Sequence, residues 1–118
     1  MEAYIVHIFN ILISVPSKPP TAFKLTARSS TSITASWQSP PVFARHGRKI
    51  TGFKLFYKKK GGGSATVLLI GSGSILSRNV TGLDKFTEYE FQVLALTFNG
   101  DGPKSPVEVE RTKEAGMC

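Results

Sequence analysis

Between Phe23 and Val109 the apolar residues recur at every second position, in short runs separated by turn formers. Ile33, Ala35 and Trp37 alternate with Thr34 and Ser36. Phe53, Leu55 and Tyr57 alternate with Lys54, Phe56 and Lys58. Tyr89, Phe91, Val93 and Ala95 alternate with Glu90, Gln92, Leu94 and Leu96. Phe23 and Leu25 flank Lys24, and Val107 and Val109 alternate with Glu108 and Glu110. A period of two sends successive side chains to opposite faces of a strand. Each first-named set is therefore expected on a core and the intervening set towards solvent. The intervals read "RSST", "QSPPVFARHG", "KKGGGS", "GSGS", "TGLDK" and "FNGDGPKSP", all rich in turn residues. Two shorter strands fit residues 65–70 and 75–80. No stretch carries the stripe of about 3.6-residue period that a helix needs. Short strands with regular turns and no interposed helices point to an antiparallel sandwich.

With 118 residues, of which 41% are hydrophobic, the chain can bury one core and is too apolar to be disordered. Cys118 is the one cysteine, so no intrachain disulfide can staple that core. The core must hold by packing. The longest apolar run, "AYIVHIFNILISV" at 3–15, is interrupted by His7 and Asn10 and falls short of the roughly 18 residues of a membrane span. Glu2 stands where a signal peptide carries positive charge, and no small-x-small cleavage site follows. The proline-rich "VPSKPPT" then forbids helix and reads as a boundary. The expected division is a leader or linker at 1–18, a domain at 19–112 and a tail at 113–118.

The residues that carry chemistry argue against catalysis. His7 and His46 lie in separate segments, no metal-ligand spacing occurs, and no serine sits in a strand–turn–helix setting. The glycines at 61–63 and at 71 and 73 precede strands rather than helices, so they do not form a phosphate-binding turn. No cofactor is expected. The charge is the more informative feature: 15 Lys and Arg against 8 Asp and Glu give a formal net charge of +7. Arg45, His46, Arg48 and Lys49 crowd one loop, and Lys54, Lys58 and Lys60 share one face of the following strand with Phe56 among them. An aromatic amid lysines on an exposed sheet is a candidate contact anchor. This basic face would suit heparan sulfate or an acidic protein partner. Its plainer reading is a solvated strand whose lysines discourage edge pairing. A nucleic-acid groove would want more stacking aromatics. Asn79-Val80-Thr81 is an N-glycosylation sequon. If Val80 faces inward, Asn79 faces outward. The loop at 97–104, "TFNGDGPK", carries no Arg-Gly-Asp, and turn chemistry accounts for its glycines.

In Greek-key sandwiches a tyrosine near the start of the sixth strand turns its hydroxyl back to an upstream backbone group. Leu83 and Tyr89 in "LDKFTEY" fit that arrangement, with Leu83 as a buried foot. Together with "KPPTAFKLTARSSTSITASWQSPP", "ITGFKLFYKKK" and "NVTGLDKFTEYEFQVLALTFNGDGPKS", this stretch resembles the fibronectin type III module over nearly the whole of 19–112. The wording is most similar to modules of the netrin-receptor and neogenin group of cell-surface receptors; receptor-type phosphatases and sidekick-like adhesion proteins are close to it. The resemblance implies an all-β, seven-stranded, antiparallel Greek-key sandwich of immunoglobulin-like form. Trp37, Leu55, Tyr57, Leu83, Tyr89, Phe91 and Val93 would hold its core. Arg78 departs from the pattern, since its position shares a side with Val80 and must snorkel to the rim. The resemblance further implies a non-catalytic binding or spacer module, outside the cell, in a membrane-anchored multidomain parent. Its partners would be a protein ligand or neighbouring domains. An intracellular modular scaffold is the alternative setting.

Overall fold

A computed structural model of the chain describes residues 17–41 and 49–115. The described residues are all-β, in eight strands: β1 (Thr21–Ser29), β2 (Ser32–Gln38), β3 (Gly52–Lys59), β4 (Thr66–Ile70), β5 (Ser77–Val80), β6 (Glu88–Thr97), β7 (Gly100–Asp101) and β8 (Glu108–Arg111). One sheet has the order β1-β2-β5. The other has the order β4-β3-β6-β7, with β8 also paired to β6. All pairings are antiparallel. The chain changes sheet between β2 and β3, between β4 and β5, and between β5 and β6, which is Greek-key connectivity. The eighth strand, relative to the seven expected, is the two-residue β7. The turn after β6 closes tightly enough for Gly100 to pair with Thr97 and Asp101 with Leu96.

The core lies between the sheets. Ile33, Ala35 and Trp37 from one sheet face Phe53, Leu55, Phe91, Val93 and Ala95 from the other, all at 0–1% exposure. Trp37 meets Phe53 edge to face with ring centroids 5.4 Å apart. Tyr57 is partly buried and stacks on Phe91 at 5.7 Å. Phe23, Leu25 and Ala27 of β1 pack against the same cluster. β1 bends at a bulge where its register with β2 shifts between Thr21 and Lys24, and Ala22 there takes a φ of 52°.

The connection from β5 to β6 is pinned at Asp84. Its N–H donates to the Tyr89 hydroxyl at 2.8 Å, and its carbonyl accepts from the Thr112 hydroxyl at 2.7 Å. Thr112 is 1% exposed and also accepts from the Thr87 N–H at 2.9 Å. Leu83 is buried beside this corner, and its N–H donates to the Thr31 carbonyl in the β1–β2 turn. Gly82, at φ +73°, makes the turn into Leu83 in a backbone region that side chains disfavour.

Two inward–outward assignments from the alternation are corrected. Val107 and Val109 do not face the core: they are 49% and 42% exposed. Glu90 pairs with Val109 and Phe91 with Glu108, so the valines share the outer face of β6. The period of two is right but its phase is reversed, which alternation alone cannot fix on an edge strand. Leu94, expected towards solvent, is 4% exposed although it lies outside the core cluster. Two lysine side chains bridge over β6 around it. Lys54 reaches Asp101, and Lys104 reaches the Phe56 ring, in opposite directions. Arg78 pairs with Ala35 and is exposed, which takes its charge out to the rim.

Candidate functional site

The outer face of the β4-β3-β6 sheet, with β8 along its margin, gathers Lys54, Phe56, Lys58 and Lys60 of the singled-out residues. Alternation on β3 places Lys54, Phe56 and Lys58 on that face. Cross-strand register sets them in rows. Val67, Phe56 and Gln92 form one row, and Val107, just ahead of β8, lines a small concavity with Phe56 and Gln92. Lys58 and Glu90 form the next, ending at Val109. Leu69, Lys54 and Leu94 form the row on the other side. Phe56 is half-buried beneath the Lys104 ammonium, 4.3 Å from its ring centroid. Val67 and Leu69 are 48% and 65% exposed. The face is thus an apolar band crossed by charge.

The lysines of this face have acidic neighbours. Lys54 pairs with Asp101 at 3.0 Å, Lys58 with Glu90 at 3.8 Å and Lys60 with Glu88 at 3.7 Å. Lys58 also donates to the Gly62 carbonyl at 3.3 Å. Glu88 is shared with Arg111 at 3.6 Å, and Arg111 covers Phe86. All these groups are partly exposed, so each pair stabilises little. Their larger effect is to offset much of the local positive potential. Lys59 points the other way and pairs with Asp84. The hydrogen bond and the charge of Asp84 raise the Lys59 pKa above the ordinary lysine value.

The rest of the expected basic cluster is not joined to this face by anything described. Lys49 is exposed, while Arg45, His46 and Arg48 lie outside the described residues. Lys49 borders a concavity lined by Ser39, Ile50, Gly71, Ser72 and Gly73. Among the described residues its lining holds no carboxylate, imidazole or thiol. Among the described residues no group of three metal-ligating side chains occurs, and no helix is long and apolar enough to cross a membrane. Asn79 lies on β5, exposed, on the opposite sheet. Phe98, at the tip of the β6–β7 hairpin, is 95% exposed.

Sequence reasoning missed Glu88, Glu90, Asp101 and Lys104. It also missed the outer-face apolar residues Val67, Leu69, Val107 and Val109. The glutamates of "EYEFQ" are two residues apart, as are Lys58 and Lys60. That hints at a cross-strand ladder, but the pairing needs the register.

Known proteins fit this geometry. The chain is 45% identical over 92 residues to neogenin of Homo sapiens, spanning 78% of this chain and 6% of that protein. It is 38% identical over 108 residues to netrin receptor DCC of Mus musculus, spanning 87% of this chain and 7% of that one. The crystal structure of the FN5 domain of Drosophila Lar superposes with a TM-score of 0.67 at 35% identity, covering 86% of this chain and all of that domain. The chain therefore spans a small fraction of the curated relatives it matches. The family profile described as fibronectin type III domain matches residues 18–111. With its two antiparallel sheets, its tyrosine corner and these relatives, the chain belongs to the fibronectin type III domain family.

Proposed function

We propose that this domain is a non-catalytic binding module of a cell-surface receptor or adhesion protein of the neogenin and netrin-receptor kind. It meets a protein partner through the outer face of the β4-β3-β6 sheet. The observation that carries this reading is the row Val67–Phe56–Gln92, with Val107 lining the same small concavity as Phe56 and Gln92, apolar at its centre and bordered by charged side chains. An aromatic anchor with a charged rim is the anatomy of a protein contact. Heparan sulfate remains the second reading, because Lys54, Lys58, Lys60 and Lys104 share that face. A polyanion would have to compete with Asp101, Glu90 and Glu88 for the first three of these lysines. A passive spacer would use neither feature.

The test is binding of the tagged chain to a panel of cultured cells. Three forms are compared: native, Phe56→Ser, and a variant with Lys54, Lys58 and Lys60 changed to alanine. Binding that survives heparinase, is abolished by surface proteolysis and is lost in Phe56→Ser supports the protein contact. Binding removed by heparinase and by the lysine replacements moves the assignment to heparan sulfate. Absence of binding by the native chain on every cell type overturns both in favour of a spacer.

A further inference from the structure

We propose that Asn79 is an N-glycosylation site whose glycan lies over the outer face of the β1-β2-β5 sheet. Asn79-Val80-Thr81 is the one Asn-x-Ser/Thr sequence in the chain, since Asn10 and Asn99 lack a hydroxyl residue two positions on. The fold presents it as a glycan site must be presented. β5 is an edge strand, Val80 is 3% exposed in the core, and Asn79 and Thr81 are both exposed. The Asn79 Oδ1 accepts from the Thr34 hydroxyl at 3.1 Å, and the Thr34 hydroxyl accepts from Arg28 Nε at 3.2 Å. This chain fixes the amide oxygen towards the sheet and leaves Nδ2, the atom that bears the sugar, as the outward group.

The surrounding surface suits a carbohydrate. Cross-strand register lays Thr26, Thr34 and Asn79 in one row and Lys24, Ser36 and Ser77 in the next. These side chains are mostly small and polar. None of the large exposed apolar side chains belongs to β1, β2 or β5. A glycan there displaces water rather than packed side chains, so the folded domain accepts it without losing core contacts. In the transfer itself the C1–O bond of a lipid-pyrophosphate-linked oligosaccharide breaks and a C1–Nδ2 bond forms. One amide proton passes to a base of the transferase, and the lipid pyrophosphate departs. The opposite sheet, with Phe56 and its neighbours, stays uncovered. The modification and the protein contact therefore occupy separate faces and do not depend on one another.

The experiment directs the full chain into the secretory route of cultured mammalian cells with a cleavable signal, which separates use of the site from the parent protein's own location. Lysate and medium are both analysed by mobility and intact mass before and after peptide-N-glycosidase. The native chain is expected to shift, with Asn79 converted to aspartate by the enzyme. Thr81→Ser should keep the shift; Asn79→Gln and Thr81→Ala should lose it completely, while their thermal midpoints match that of the deglycosylated native chain. A native chain of unmodified mass in both fractions, beside a glycosylated control protein from the same cells, overturns the proposal. So does a glycosidase-sensitive shift that persists in Thr81→Ala.

Discussion

Asp84 concentrates three separate attachments in one exposed corner residue: its N–H on Tyr89, its carbonyl under Thr112 and its carboxylate on Lys59. Replacing Tyr89 by phenylalanine removes one backbone partner at a part-buried site and should cost about 1 kcal/mol. Thr112→Val leaves both Asp84 carbonyl and Thr87 N–H short of a partner and should cost ~1–3 kcal/mol. Because both changes act through Asp84, the double variant should depart from additivity in urea unfolding. Trp37→Ala lies at the other extreme. Removing a 1% exposed indole should cost ~3–5 kcal/mol, visible as a large fall in the urea midpoint. An unchanged midpoint would refute the core placement. Lys59 makes a pH-dependent contribution. Its folded pKa is raised by Asp84, so the stabilisation is complete below the ordinary lysine value and is lost as pH rises through the raised one. The alkaline arm of the stability–pH curve should flatten in Lys59→Met.

At the level of elements, the strands differ sharply in what they contribute. β3 and β6 pair along eight residues and carry Phe53, Leu55, Phe91 and Val93 inward. β8 pairs over four residues, with Val109 outward and its glutamates on the inner side of the sheet margin. Val109→Thr should therefore change stability by no more than about 0.5 kcal/mol, as an exposed substitution does. Val93→Ala, at 0% exposure, should cost at least ~1 kcal/mol because it leaves a cavity. Thermal or urea unfolding of the pair separates the two. Equal losses would mean that β8 seats Val109 against the core after all.

For the whole molecule, stability rests on one apolar layer between two sheets, without a disulfide. The ion pairs lie on its surface, with lysine side chains 34–56% exposed. Exposed pairs are screened by salt and buried apolar area is not. The thermal midpoint should therefore change little between low salt and molar sodium chloride, followed by circular dichroism. A steep fall with salt would show the charge ladder to be a principal support of the fold. The two sheets also divide the surface chemically: small polar residues on one outer face, an aromatic and aliphatic band with charges on the other.

Much of this was legible in the chain itself. The alternation of Ile33, Ala35 and Trp37, or of Tyr89, Phe91 and Val93, fixes strand identity and the buried side, because burying one face forces a period of two. Leu83 and Tyr89 mark the corner through a spacing that Greek-key sandwiches share. Three things required the tertiary structure. The phase of β8 depends on which residue of β6 stands opposite, and a strand alternating valine with glutamate at a margin fits either way. Burial of Leu94 depends on its neighbours in the row with Lys54 and Leu69, which only strand register sets. The neutralisation of Lys54, Lys58 and Lys60 depends on Asp101, Glu90 and Glu88, which are distant in sequence and adjacent only through strand register. Local pattern determines what a residue's own strand must be; pairing between strands determines what that residue meets.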